Sequence, residues 1–186
     1  ILTGLPGQDA RSAAQDIRIH NGVITEIGQQ LTRHDNERVL DARDCVIYPG
    51  WVNTHHHLFQ SLLKGVPAGI NQTLSPWLQS VPFTYRKGFN EKRLRIAARV
   101  GMVELLRSGC TTVADHHYLF QPGMDHDAAA ILFEEAQALG LRFMLLRGGA
   151  TATRKLEDNE RLIQSTETLD QMLASVQQTA ARYHQS

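Results

Sequence analysis

The sequence predicts an α/β fold in which a small β-rich segment precedes parallel strands that alternate with helices. From residue 49 onward, apolar runs typical of strands alternate with segments of helical periodicity. Such alternation is typical of a parallel sheet with crossover helices. The chain provides three such strands, whereas an eight-stranded β/α barrel usually needs about 250 residues. We therefore expect less than half of such a barrel, with a three-stranded open sheet as the alternative.

The first element is a hairpin over residues 16–27, "DIRIHNGVITEI". Its two halves alternate apolar and polar residues, and Asn21-Gly22 between them tolerates the positive φ angles of a type I′ turn. Residues 8–15 lack periodicity and are predicted to be a loop. Residues 46–54 are β-rich and interrupted by Pro49-Gly50, which indicates the passage between two domains, residues 1–48 and 49–186.

The second domain is predicted to contain three strands and three helices. Asn90 and Asp127 are expected to cap the first two helices, and Gly109 and Gly140 are expected to end them. The polar segment after the third strand is predicted to be a loop near the functional site. The predicted strands cover 51–55, 110–115 and 141–147, the predicted helices cover 90–109, 127–140 and 166–184, and the polar segment covers 151–161.

Composition excludes several classes of function. Lys plus Arg and Asp plus Glu both count 19, so nothing favours nucleic acid or an anionic membrane as a partner. The longest apolar runs, such as "FMLL", are far shorter than the roughly 20 residues that span a bilayer. Cys45 and Cys110 lack CxxC spacing and are interpreted as free thiols of a reducing compartment, with one disulfide as the alternative, which favours a cytoplasmic protein.

The triple histidine of "WVNTHHHLFQ" is the main candidate for chemistry. Because side chains alternate along a strand, His55 and His57 should share one face and His56 should point the other way. Two imidazoles on one face can reach a common divalent ion at roughly 2.0–2.1 Å. The end of a strand is also where α/β barrels carry their sites. Histidines without a metal are the alternative interpretation.

Residues after the second strand are candidates for the surroundings of that ion. His116 and His117 could be ligands or pocket-wall residues, and we favour the pocket. Asp115 could orient a ligand histidine or satisfy loop amides.

Three further side chains are candidates for contact with a substrate. Gln60 follows the histidine strand, and its amide offers both a donor and an acceptor, with a loop hydrogen bond as the alternative. Arg147 ends the third strand and could hold a substrate oxygen or pair with Asp115 or Glu134. Trp77 lies in a predicted long loop, 65–89, where it could cover a flat ring or anchor the loop.

Several motifs resemble one known family. "PGWVNTHHHLFQ" resembles the first-strand signature of the amidohydrolase superfamily, in which an HxH pair follows an apolar strand. "TLSPWL", "SGCTTVADHHY", "GLRFMLLRGGAT" and "ARYH" are similar to the branch of deaminases that act on pterins and oxidised purines. Within that branch, the pterin-acting members are more similar than those acting on 8-oxoguanine.

The resemblance implies a fold and a set of ligands. Residues 1–48 would be part of a small β-sandwich, and residues 49–186 would be the first three β/α units of a distorted (β/α)8 barrel. One divalent ion, zinc with iron as the alternative, would be held by His55 and His57, and Gln60 matches a substrate-contacting position. The other ligands and a proton-carrying Glu would lie beyond residue 186, since the chain looks cut at both ends. The family also suggests a homodimer or a higher oligomer.

The function implied is hydrolytic deamination of a fused nitrogen heterocycle such as isoxanthopterin, with release of ammonia. Two alternatives keep the metal and change the substrate, to 8-oxoguanine or another purine, or to a triazine. A third alternative is a non-catalytic fragment or assembly module that retains the two histidines.

Overall fold

The computed structural model describes residues 15–120, 123–155, 162–163 and 165–184. The chain divides into two compact units, residues 1–50 and 51–186, and each is described by itself. Almost all of the loop predicted at 8–15, and residues 156–161 of the predicted polar loop, lie outside the described residues.

The first unit contains the predicted hairpin. Strands β1 (Asp16–His20) and β2 (Val23–Gly28) pair antiparallel with one irregularity in register. Asn21 and Gly22 between them have φ angles of 49° and 77°, which are the positive values that a type I′ turn requires. The hairpin prediction is therefore confirmed, while the β-sandwich stays a prediction because residues 29–50 contain no helix or strand.

The second unit is built on a three-stranded parallel sheet. Its strands are β3 (Trp51–His56), β4 (Cys110–His117) and β5 (Arg142–Arg147), in that spatial order. The parallel α/β prediction is confirmed, although β4 runs two residues beyond the predicted end. A short antiparallel pair that the sequence did not indicate is formed by β6 (Arg154–Lys155), within the predicted polar loop, and β7 (Leu162–Ile163), just after it.

Five helices accompany the strands in the part of the chain that the structure describes. They are α1 (Leu74–Ser80), α2 (Pro82–Tyr85), α3 (Glu91–Arg107), α4 (Ala128–Leu139) and α5 (Leu169–Tyr183). The side chains of Asn90 and Asp127 accept bonds from the amides three residues on, as N-caps do. None of the described helices has the length and apolar character needed to cross a membrane.

The prediction of one long loop over residues 65–89 is wrong. Both α1 and α2 lie there, together with 3-10 turns at Pro67–Gly69 and Arg86–Gly88. Trp77 belongs to α1 and is half-buried against the hydrophobic core. A Cβ on Gly69 would collide with the side chains of Trp77 and Val81, so the glycine allows the segment to close on the indole. This packing matches the anchoring alternative for Trp77.

The core lies on one face of the sheet, between the strands and α3 and α4. It includes Leu58, Leu94, Met102, Val113 and Leu132, each 0% exposed. Gly101 of α3 lets this helix approach the 3-10 helix Leu58–Leu63 closely, because a Cβ there would overlap Leu58 and Ser61. The helix that follows the histidines is thus packed firmly against the core.

An ion-pair network joins α3 to α4. The carboxylate of Glu135, whose side chain is 2% exposed, accepts hydrogen bonds from Arg95 and Arg99 at 2.6–3.0 Å. Burial alone would raise the pKa of Glu135, but the hydrogen bonds from Arg99 and Arg95 outweigh it and hold the pKa below its ordinary value of 4.5.

We expect Glu135→Gln to lower the free energy of unfolding at pH 7 by about 1–3 kcal/mol, because it removes the charge from bonded pairs. The pKa of Glu135 is lower in the folded state, so its contribution is present above about pH 4.5 and is lost as the pH falls through the folded value. The difference in stability between wild type and E135Q should therefore shrink in acid. Urea unfolding at several pH values measures it, and a difference that grows below pH 4.5 would contradict this account.

Candidate metal centre

The three consecutive histidines divide between the two faces of the sheet. Asn53 pairs with Val113 and His56 pairs with Asp115, so β3 contains one extra residue between these positions. Such a bulge is common beside functional sites because it redirects side chains. His56 consequently shares the buried face with Asp115. The ring centroids of His55 and His57 lie 5.1 Å apart, on the opposite face.

The ring of His57 is held by a neighbouring strand. Its Nδ1 donates a hydrogen bond to the backbone carbonyl of His116 at 2.6 Å. This bond assigns the proton to Nδ1 and leaves Nε2 with its lone pair. Burial lowers the pKa of His57, with the neighbouring His55 adding to that effect, so the ring is neutral at neutral pH. A neutral imidazole whose other nitrogen donates to a carbonyl is the usual state of a metal-binding histidine.

His116 lies in the same group of rings. It stacks on His55 with a centroid separation of 4.2 Å, and its Nε2 donates to the carbonyl of Thr54 at 3.2 Å. Among the described residues, no group of three or more His, Cys, Asp or Glu side chains is arranged to hold a metal ion. His55 and His57 therefore stay the predicted ligand pair, and His116 stacks against the first of them.

His56 has a different environment. Its side chain is half-buried, and its Nδ1 is buried with no hydrogen-bond partner among the residues that the structure describes. Burial lowers the pKa of His56, and the charge of Lys64 lowers it further.

Asp115 and His117 lie on the buried face, behind the histidine pair. Both side chains are 0% exposed. The Oδ1 of Asp115 accepts a hydrogen bond from the amide of Leu58 at 2.8 Å. Burial raises the pKa of Asp115 to about 7, against the opposing effect of the Leu58 amide. Burial also lowers the pKa of His117 to about 3, so this ring is neutral.

Gln60 reaches the histidine pair through a residue that the sequence analysis missed. Its Nε2 donates to the hydroxyl of Tyr118 at 2.8 Å, and the ring of Tyr118 lies 5.4 Å from that of His57. Tyr118 comes two residues after His116 and directly after the end of β4, so continued alternation past the strand could have indicated it. The structure thus brings Gln60 and Tyr118 close to His57.

Arg147 is not brought to the histidine pair. In the register of β4 and β5 it pairs with His117, which lies on the buried face. Its guanidinium makes two hydrogen bonds to Glu167, at 2.5 and 2.6 Å, and lies 4.4 Å from the centroid of the Phe120 ring. An ion pair was the sequence alternative, but the partner is Glu167 and neither Asp115 nor Glu134.

Comparison with known proteins places the chain in a family. Residues 46–183 match the Amidohydrolase family. The chain is 56% identical to an isoxanthopterin deaminase from an unknown prokaryotic organism, over 99% of this chain and 39% of that protein. It is 39% identical to an 8-oxoguanine deaminase of Pseudomonas aeruginosa, over 93% of this chain and 38% of that protein.

A solved structure is also similar to this chain. The atrazine chlorohydrolase TrzN of Arthrobacter aurescens TC1, crystallised in complex with zinc, superposes with a TM-score of 0.74 at 27% identity, covering 92% of this chain and 39% of that one. The chain spans less than half the length of each of these three proteins. The match over residues 46–183 extends across most of the chain and includes the histidine strand. The chain belongs to the amidohydrolase family.

Proposed function

We propose that the protein is a metal-dependent hydrolytic deaminase that acts on a fused nitrogen heterocycle such as isoxanthopterin and releases ammonia. The observation that carries the proposal is the hydrogen bond from Nδ1 of His57 to the carbonyl of His116, beside the ring of His55. The similarity to an isoxanthopterin deaminase over 99% of the chain supports this choice of substrate.

His55 and His57 would hold one divalent ion, which we propose to be zinc, with iron as the alternative. The zinc in the related atrazine chlorohydrolase supports this choice. Such an ion supplies a nucleophilic water at neutral pH. The role of this chain is to present two imidazoles from one face of β3, with His57 kept neutral and oriented by His116.

Gln60 and Tyr118 are the substrate-facing groups that we propose on geometric grounds. The amide of Gln60 donates to the Tyr118 hydroxyl, so its side-chain oxygen and the proton of the hydroxyl remain available to a lactam edge. Trp77 and Arg147 stay as weaker proposals, because Trp77 packs against its own segment and Arg147 pairs with Glu167.

At the level of the fold, we propose that residues 49–186 form the first three units of a β/α barrel and that residues 1–48 belong to a β-sandwich. The parallel order β3-β4-β5 supports the barrel. We also propose a homodimer, by analogy with the family alone.

Two alternative substrates have specific support. An 8-oxoguanine or other purine substrate is supported by the P. aeruginosa relative, and a triazine substrate by the superposition on the atrazine chlorohydrolase. All three need the same histidine pair, so substrate tests must separate them. A non-catalytic module with retained histidines is the remaining alternative.

The test is ammonia release by the whole protein, loaded with zinc, against a panel of isoxanthopterin, other pterins, 8-oxoguanine, guanine and aminotriazines. We expect one bound ion per chain and the fastest release from a pterin. Faster ammonia release from 8-oxoguanine than from any pterin would make 8-oxoguanine the proposed substrate and leave hydrolytic deamination as the proposed reaction. Bound zinc without ammonia release from any member of the panel would favour the non-catalytic alternative.

A further inference from the structure

We propose that Asp115 is a positioning residue for His57, because its buried carboxylate holds the backbone turn that carries this histidine. The inference rests on the proposed function, since it concerns the same pair of metal-binding histidines. Asp115 itself lies on the opposite face of the sheet, so it acts through the backbone and does not touch the ion.

His57 needs such support because it lies just beyond the end of β3. The last residue of the strand is His56, and His57 is the N-cap of the 3-10 helix Leu58–Leu63, with φ −132° and ψ 84°. The side chain of His57 makes no capping hydrogen bond to that helix. The first amides of a helix have no hydrogen-bond partner within the helix. The amide of Leu58, the first residue of this 3-10 helix, therefore needs an acceptor from elsewhere.

Asp115 satisfies that amide. Its Oδ1 lies 2.8 Å from the Leu58 nitrogen, and both residues are 0% exposed. A buried amide without a hydrogen-bond partner is destabilising, so the side-chain oxygen at position 115 stabilises the turn at residues 57–58 in this position. The pairing of His56 with Asp115 sets the carboxylate beneath the turn.

The two ends of His57 are thus held by consecutive residues of β4. Asp115 holds the backbone from the buried face, and the carbonyl of His116 holds the ring at Nδ1 from the other face. Together they fix both the position and the orientation of the imidazole. Loss of a partner that orients a metal-bound histidine typically weakens metal affinity by 10–100-fold.

The second oxygen of Asp115 faces another buried polar group. Its Oδ2 lies 3.6 Å from Nδ1 of His117, and neither atom has a hydrogen-bond partner among the described residues. The ring of His117 is enclosed by Phe59 and Phe120, with centroids 5.9 and 5.2 Å away. The ring of His117 thus lies beside Oδ2, while Oδ1 is bonded to the amide of Leu58.

The experiment compares Asp115→Leu, which removes the acceptor and keeps the branched shape of the side chain, with Asp115→Asn, which keeps a side-chain oxygen. Zinc affinity of the whole protein is measured by competition with a chromophoric chelator. We expect zinc binding roughly 10–100-fold weaker in D115L and close to wild type in D115N. Hydrogen exchange of the metal-free proteins should show that the Leu58 amide loses protection in D115L only.

Glu135→Leu is the matched control, because it removes another buried carboxylate that lies on α4. It should lower stability and leave zinc affinity unchanged. If D115L does not fold, Asp115→Ser gives the same comparison, since its side chain falls about one bond short of the amide.

Zinc affinity that is unchanged in D115L, or reduced equally in D115L and E135L, would overturn the inference while the proposed function stands. A wild-type protein that binds no zinc would overturn both.

Discussion

His57→Ala is expected to abolish zinc binding and ammonia release by the whole protein. The change removes one of the two imidazoles that share a face of β3, so the ion loses one of its proposed ligands. Loss of affinity should exceed the roughly 10–100-fold that follows loss of a supporting partner. Chelator competition measures the affinity, and ammonia release measures the activity.

His56→Ala is the matched control, because it changes the adjacent residue on the opposite face. His56 is half-buried, so we expect a loss of about 1 kcal/mol in stability and little change in zinc affinity. Thermal unfolding of the metal-free proteins separates the two effects. Equal loss of zinc binding in H56A and H57A would contradict the assignment of the three histidines to two faces.

Arg147→Ala and Glu167→Ala are expected to produce the largest losses of stability. The side chains are 7% and 4% exposed, and the pair is bidentate. Removing one partner leaves a buried charge uncompensated, which costs roughly 3–5 kcal/mol. The double variant should lose less than the sum of the two single losses, because neither charge is then left alone. Urea unfolding of the four proteins in this cycle gives the coupling.

The same set of Arg147 and Glu167 variants separates a structural role of Arg147 from contact with the substrate. If it only ties β5 to the start of α5, R147A and E167A should change KM to the same small extent once folded protein is compared. If Arg147 holds a substrate oxygen, R147A should raise KM strongly and E167A should not. Additive stability losses in the double variant would contradict the ion-pair account.

Local chemistry made most of the elements predictable. The positive φ angles at Asn21 and Gly22, and the side-chain caps at Asn90 and Asp127, depend on residues within three positions along the chain. The helical stripes of α3 and α4 and the apolar strands between them could be recognised for the same reason. The helices within 65–89 could not, because they are short and are stabilised by contacts such as Trp77 with Gly69.

The placement of the three candidate histidines on two faces was predictable, whereas the contacts that support them were not. Alternation within "HHH" is a property of three consecutive residues. By contrast, the bonds of His57 to the His116 carbonyl and of Leu58 to Asp115 join positions 59 and 57 residues apart. The pairing of Arg147 with Glu167, across 20 residues, likewise depends on how β5 and the segment before α5 meet. No periodicity in the sequence encodes such contacts.

The most direct test of the central claim is an anomalous difference map at the zinc absorption edge, from crystals of the zinc-loaded protein. The account predicts one peak on the face of β3 that carries His55 and His57, with a nitrogen of each ring roughly 2.0–2.1 Å away. Zinc bound through His56, or at a position out of reach of both His55 and His57, would contradict it.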